Sequence, residues 1–420
     1  MHDHADLASQ TDQQAEVRAA LSFLLIEGVG SGRLRRLREA FGSWCAALRE
    51  SPESVAEALR CDPSHAARVL VDARGAKADE EIAAVAAHGA RIVLSGDSEY
   101  PALLAAGVDA PELLAVRGAL DSPPELAVAI VGSRRASAYG RMQAARLAVE
   151  LAERSVTIVS GGARGIDAEA HRGAMRAGGR TIAVLATGVA RPYPPEHEEL
   201  FDAIVAAGGA TITEQPSFIA ARPELFPRRN RIIAGLSLVT VVVEAANRSG
   251  ALLTARLAVD DYGRDAACVP GPVDSVSSQG CHRAIREGWA QLVTGADDVC
   301  EMLAESRSIL EGAAERQRSS LRAGARPPLV ERKHPRTPRP APAPAAPSTA
   351  DMGLPPDSDA ASVLGAIREL RSAGLDELER ALGWEVPRLA AATLLLEMRG
   401  AVRRGAEGAF ELSAVRGGAR

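Results

Sequence analysis

The chain has 420 residues, 46% hydrophobic and 25% charged, which is enough apolar material for two to four globular domains. A formal net charge of −5 and an aromatic content of 3% argue against a uniformly basic DNA-coating protein and against an extended base-stacking groove. Any nucleic-acid surface must therefore be local and dominated by phosphate contacts.

Five scattered cysteines without a CxxC pair (Cys45, Cys61, Cys268, Cys281 and Cys300) argue against a disulfide framework and a structural zinc site. The polar start and the absence of an apolar run of about 18 residues predict a cytoplasmic protein without membrane insertion.

Residues 1–14 read as a disordered polar lead. Residues 15–75 read as a small helical domain of SAM or helix-hairpin-helix form. In LIEGVGSGRLRRLREAFGS, Gly28-Val29-Gly30 would make the tight turn, with Leu34, Leu37 and Phe41 at helical spacing behind it. Amides of such a hairpin, with Arg33, Arg35 and Arg36, could hold a DNA phosphate. A helical module packed on the main domain explains the pattern equally well.

The main domain is expected over 80–305. Strands are predicted near 91–94, 113–116, 128–131, 156–159, 181–185, 210–213, 238–243 and 266–269. Helices are predicted near 140–153, 167–177, 196–207, 228–235, 250–262 and 281–287. Short apolar runs between helical segments imply strands buried on both faces, hence an α/β fold with a doubly wound, mostly parallel sheet. Residues 306–358, rich in proline, alanine and arginine, read as a semi-extended linker. Residues 359–420 give helix, helix, helix and a wing turning at 405–408, a winged-helix-like pattern. Its recognition segment, 387–399, carries only Arg388 and Arg399 as cations, so a protein-contact role stands beside a DNA-reading one.

The chemistry concentrates in two successive strand–glycine-turn–helix units, LAVAIVGSRRASAYG and SVTIVSGGARGIDAEA. The first turn supplies Gly132, Ser133, Arg134 and Arg135; the second supplies Ser160, Gly161, Gly162, Arg164 and Gly165. Glycine lets the main chain approach an anion, and the arginines make both turns phosphate cradles.

A dinucleotide fingerprint is excluded, because its first glycine is missing and no acidic residue ends TIAVLATG. No GxxxxGK[ST] loop exists either. FPRRNRIIAGLS adds Arg228, Arg229, Asn230 and Arg231 at a helix start, where the dipole disfavours cations and an anionic partner relieves the cost. Internal pairing with Glu214 or Glu244 is the alternative. In VVVEAANRSGALLTARLA, Ser249 and Gly250 open another helix. Glu244 reads as a structural anchor, since no second carboxylate or nucleophile–base pair accompanies it. His171, His197 and His282 are solitary and complete no metal site.

The segments VGSRRASAYG, SGGARGID, FPRRNRIIAGLS, VVVEAANRSGALLTA and VPGPV, in this order and spacing, resemble the DNA-processing protein A family, DprA or Smf. The resemblance implies an extended Rossmann-like domain that binds single-stranded DNA through its backbone. It further implies a homodimer without cofactor or enzymatic activity, which protects incoming DNA and loads the RecA recombinase during natural transformation. By motif position Arg134 and Arg164 would hold phosphates; Arg164 stands where relatives often carry lysine, which keeps the charge and adds a bidentate fork. His282 and Ala284-Ile285 depart from the family's asparagine and Leu-Ile, which bears on packing near 280–290. The alternative is a nucleotide-monophosphate phosphoribohydrolase-like enzyme or a nucleotide sensor on the same fold. The absence of PGGxGTxxE speaks against the enzyme.

Overall fold

The computed structural model describes residues 2–107, 109–120, 126–308, 358–370, 372–373, 375–398, 401–404 and 410–412. The chain forms two compact units, 1–326 and 327–420.

The first unit begins with α1 (His2–Leu24), α2 (Ser31–Phe41), α3 (Trp44–Ala47), α4 (Pro52–Leu59), α5 (Pro63–Arg74) and α6 (Ala78–Ala87). The lead expected to be disordered is instead the first half of α1. Local chemistry sets the helix starts: Ser51 and Asp62 cap α4 and α5, each followed by proline at the first helical position. Phe23, Leu34, Leu37, Trp44 and Leu70 form a core that also takes in Leu94 and Leu113 from the first two strands. The helical layer therefore shares its core with the sheet, and no break in packing falls between the two domains expected from the sequence.

The nine-stranded sheet comprises β1 (Ala90–Leu94), β2 (Leu113–Gly118), β3 (Ala127–Val131), β4 (Thr157–Ser160), β5 (Thr181–Val184), β6 (Ala210–Thr213), β7 (Val239–Val242), β8 (Asp265–Cys268) and β9 (Gln291–Leu292), ordered β1-β2-β6-β5-β4-β3-β7-β8-β9. From β6 to β9 all pairings are parallel, while β1 and β2 form an antiparallel margin. Connecting helices are α7 (Ala102–Ala105), α8 (Ala138–Ala152), α9 (Ile166–Arg176), α10 (Glu198–Ala206), α11 (Leu225–Leu236), α12 (Gly250–Asp260), α13 (Gln279–Arg286) and α14 over 296–308. Helix α14 runs past 305, into what the sequence suggested was linker.

The two-residue alternation of β3 shows why the sheet is covered on both sides. Val128 and Ile130 pack with Leu147 of α8 and Ala170 of α9, whereas Ala127, Ala129 and Val131 pack with Ile232 of α11 and Ala255 of α12. The doubly wound reading thus holds. The chain winds from β3 through β4, β5 and β6 to one side, then returns to lay β7, β8 and β9 on the other. Loops after β3 and β7 consequently diverge over a crevice at the carboxyl ends of the strands, the place where such sheets bind ligands.

The second unit holds α15 (Asp359–Leu370), β10 (Ser372–Ala373), α16 (Leu375–Leu382), α17 (Val386–Met398), β11 (Val402–Arg404) and β12 (Phe410–Leu412), with strand order β10-β12-β11. Val363, Ile367, Leu378, Leu389, Leu396 and Phe410 fill its core. Arg388, at the start of α17, is paired with Asp359 at 2.6 Å and stacked over Trp384 at 4.0 Å. Arg399, the wing turn at 405–408 and most of the expected linker lie outside the described residues. Among the described residues no helix is long and apolar enough to cross a membrane.

Candidate nucleic-acid interface

The first turn leaves β3 at Gly132, where a Cβ would lie 2.5 Å from Ile166, so only glycine lets the start of α9 pack beneath it. Ser133 donates its amide to the Glu244 carbonyl at 2.8 Å and accepts the Arg135 amide on its hydroxyl at 3.1 Å. These bonds fix a tight turn that throws Arg134 and Arg135 outward, both exposed. The Arg134 guanidinium lies 4.5 Å over the Phe226 ring.

In the second turn the Asp167 carboxylate accepts the amides of Gly161 and Ala163 at 3.2 and 3.3 Å. Gly162 has φ +65°, and His197 Nδ1 donates to its carbonyl at 2.9 Å. Gly165 has φ +79°, and a Cβ there would lie 2.3 Å from the Ser133 carbonyl oxygen. The Ile166 amide also donates to that oxygen at 3.2 Å, so the two turns are joined main chain to main chain. Arg164 projects from the joint, exposed and ion-paired with Glu196. Ser160 is fully buried, and its hydroxyl donates to the Ile130 carbonyl at 2.6 Å. It ties β4 to β3 and does not face a phosphate, contrary to the expectation from its motif.

The cluster at the start of α11 divides three ways. Arg229 is buried and donates to the carbonyls of Gly161, at 2.6 Å, and Val184. Burial pushes its pKa down to about 10 against the opposing pull of Asp167, while burial pushes the Asp167 carboxyl up. Arg231 is ion-paired with Glu214 and with Asp109 at 3.3 Å and is almost enclosed. This is the internal pairing with Glu214 that the sequence left open, and it removes Arg231 from the phosphate set. Arg228 alone is exposed, with no ion pair among the described residues. Asn230 donates to the Gly250 carbonyl at 3.3 Å, lashing α11 to the start of α12, which Ser249 caps through the Ala251 amide.

Glu244, 2% exposed, accepts the Ser137 amide at 2.9 Å and the Ser137 and Ser277 hydroxyls at 2.5 and 3.2 Å. It anchors the loop between β3 and α8 and touches no arginine of the cluster. His282 is engaged with the Gly271 carbonyl at 3.0 Å. The glycine hairpin of the helical layer is docked on the sheet: Ser31, at the start of α2, donates to Glu214 at 2.9 Å, and Arg35 pairs with Glu112 at 3.0 Å.

Together the loops enclose a cleft of about 380 Å³ lined by Gly132, Arg134, Arg135, Asn230, Ser249 and Gly250, with Asp167 and Arg229 in its floor. The amides of Gly132, Arg134 and Gly250 make no hydrogen bond among the described residues. Amides left open in this way beside exposed guanidiniums are the groups from which anion sites are built. A smaller pocket beside it takes in Arg164, Tyr193 and Phe226, whose rings meet edge to face at 5.7 Å. Sequence reasoning missed five contributors: Asp167, Tyr193, Glu196, His197 and Phe226. Asp167 was legible in principle, as the acid closing the SGGARGID turn.

An open, doubly wound sheet with arginines at its switch point defines a Rossmann-like protein whose cleft has the charge and shape of an anion pocket. A profile of the DNA recombination-mediator protein A family matches residues 91–304, and the chain belongs to that family. Protein Smf of Escherichia coli is 43% identical over 212 residues, covering 50% of this chain and 56% of its own length. A DNA processing protein DprA of Streptococcus pneumoniae is 41% identical over 203 residues, 48% of this chain and 71% of its own. The solved DprA structure from S. pneumoniae superposes with a TM-score of 0.60 at 32% identity, covering 68% of this chain and 97% of that one. A DprA relative in Mycobacterium tuberculosis, 42% identical over 240 residues, is matched over 61% of its length and 54% of this chain.

Proposed function

We propose that the protein is a non-catalytic recombination mediator that holds single-stranded DNA by its phosphates, protects it, and loads RecA as a cytoplasmic homodimer. One observation carries the strand reading: the two glycine turns are joined through their main chains and present Arg134, Arg135 and Arg164 around amides that make no hydrogen bond among the described residues. Contacts to phosphate position a strand without reading its sequence, which suits a mediator. The non-catalytic part rests on Asp167, the carboxylate of the cleft, which is buried and committed to two amides. Membership of the recombination-mediator family supports the RecA-loading and homodimer parts of the reading.

Fluorescence anisotropy of labelled oligo-dT across a salt series tests the reading. Wild type should bind tightly with a steep salt dependence. Arg134→Ala with Arg164→Ala should weaken binding at least tenfold and flatten the slope by about 1.4, two phosphate contacts at about 0.7 each. Unchanged binding would refute the site.

A cleft of about 380 Å³ is also the size of a small-ligand pocket, which favours a mononucleotide enzyme or sensor as the second reading. Release of base from nucleoside monophosphates by the wild type would establish the enzyme.

A further inference from the structure

Arg164 is the cation of the second turn, yet its guanidinium is already engaged by the Glu196 carboxylate. The pairing is not that of two free surface side chains. Glu196 sits in the short 3-10 turn Pro195–His197, whose His197 is buried and bonded to the Gly162 carbonyl of the same glycine turn that carries Arg164. Two residues before that turn, the Tyr193 ring rests against Phe226, which in turn carries Arg134. The segment 193–197 is therefore a strap that borders the smaller pocket shared by Arg134 and Arg164; fixed at both ends, it sets a carboxylate where a phosphate oxygen would meet Arg164. Both partners remain about half exposed, at 51% and 46%, so a ligand can reach them. The pair shifts both groups toward their charged forms, chiefly through their mutual hydrogen bond.

We propose that Glu196 is a built-in counter-anion that every phosphate must displace from Arg164; the proposal rests on the strand reading above. Exchanging a carboxylate for one phosphate gains little, so a lone nucleotide or inorganic phosphate is held weakly and fills the site only at high concentration. A strand also engages Arg134 and Arg135, which raises the effective concentration of its next phosphate at Arg164 and carries the exchange. Glu196 thus sets a threshold that polymers pass and the cellular pool of small phosphates does not.

The test uses the full chain as wild type, Glu196→Gln, Arg164→Ala, the double variant, and Glu199→Gln as a control on a neighbouring exposed carboxylate. Binding of dTMP and of inorganic phosphate is followed by calorimetry, and binding of oligo-dT by anisotropy. Glu196→Gln should tighten all three about threefold, the scale of an exposed ion pair, and steepen the oligo-dT salt slope. The gain should vanish in the Arg164→Ala background and be absent in Glu199→Gln. A gain equal to the control's, or one that persists without Arg164, would overturn the proposal by reducing Glu196 to general repulsion. Failure of the wild type to bind oligo-dT would overturn the strand reading alone, because dTMP and phosphate still report on the Glu196 pair.

Discussion

Arg134 and Arg135 leave the first glycine turn exposed, Arg134 with one face on the Phe226 ring, whereas two of the three arginines in the early turns of α11 are bound by protein carbonyls and carboxylates. The contrast lies in what surrounds each backbone. The loop past the end of β3 is tied down through its main chain and Ser137, which leaves its arginine side chains facing the cleft. Helix α11 lies on the sheet, and a long side chain pointing inward meets strand-end carbonyls and buried acids. An arginine-rich segment can therefore serve as scaffold or as ligand site, and its packing decides which.

The largest expected effect breaks the scaffold side. Arg229→Ala leaves Asp167 buried without its counter-charge and two carbonyls without donors, and should cost about 3–5 kcal/mol in urea unfolding. A midpoint within error of wild type would show that Arg229 does not brace the turn.

Next is acid sensitivity in the same region. His171 is fully buried, and burial lowers its pKa to about 3, helped by the nearby charges of His197, Arg229 and Arg172. Because the folded pKa lies below the unfolded one, the unfolded chain takes up the proton first. This contribution to stability is present above about pH 6.5 and is lost as pH falls toward 3, amounting to roughly 3 kcal/mol by pH 4. Urea melts at pH 7, 5 and 4 should show that decline, and His171→Gln should flatten it.

Arg231→Ala should cost about 2 kcal/mol, since among the described residues Glu214 keeps only the Ser31 hydroxyl, yet leave oligo-dT affinity at wild-type level. Weaker binding at unchanged stability would move Arg231 to the ligand side of the comparison. Arg135→Ala is the mirror case and the smallest effect. Its melt should match wild type within about 0.5 kcal/mol, while oligo-dT binding weakens a few-fold with a salt slope shallower by about 0.7.

Much of this architecture was readable from residue order. Strands covered on both faces are unbroken apolar runs, and all eight strands predicted in the main domain are present within a residue or two. Strand β9 escaped because Gln291 and Leu292 are both exposed and carry no pattern. The start of α1 escaped because its polar residues show no apolar stripe. Within the site, Gly162 and Gly165 were legible because positive φ and close main-chain approach demand glycine. The pairing of Arg231 with Glu214 was legible only as one of two readings, and the burial of Arg229 was not, since its partners Gly161 and Val184 arrive from distant parts of the chain. The Tyr193–Phe226 pair was hidden likewise: a low aromatic count argues against a continuous groove but says nothing of two rings brought together by folding.

The contact between Gly165 and the Ser133 carbonyl has one more implication. It is made by atoms every residue shares, so side-chain changes around the cleft alter how strongly each turn grips without altering how far apart the grips are. Under the strand reading the fold carries a fixed gauge: the phosphate-to-phosphate step it accepts is set by the main chain, and charge substitutions can tune only the force applied at each mark.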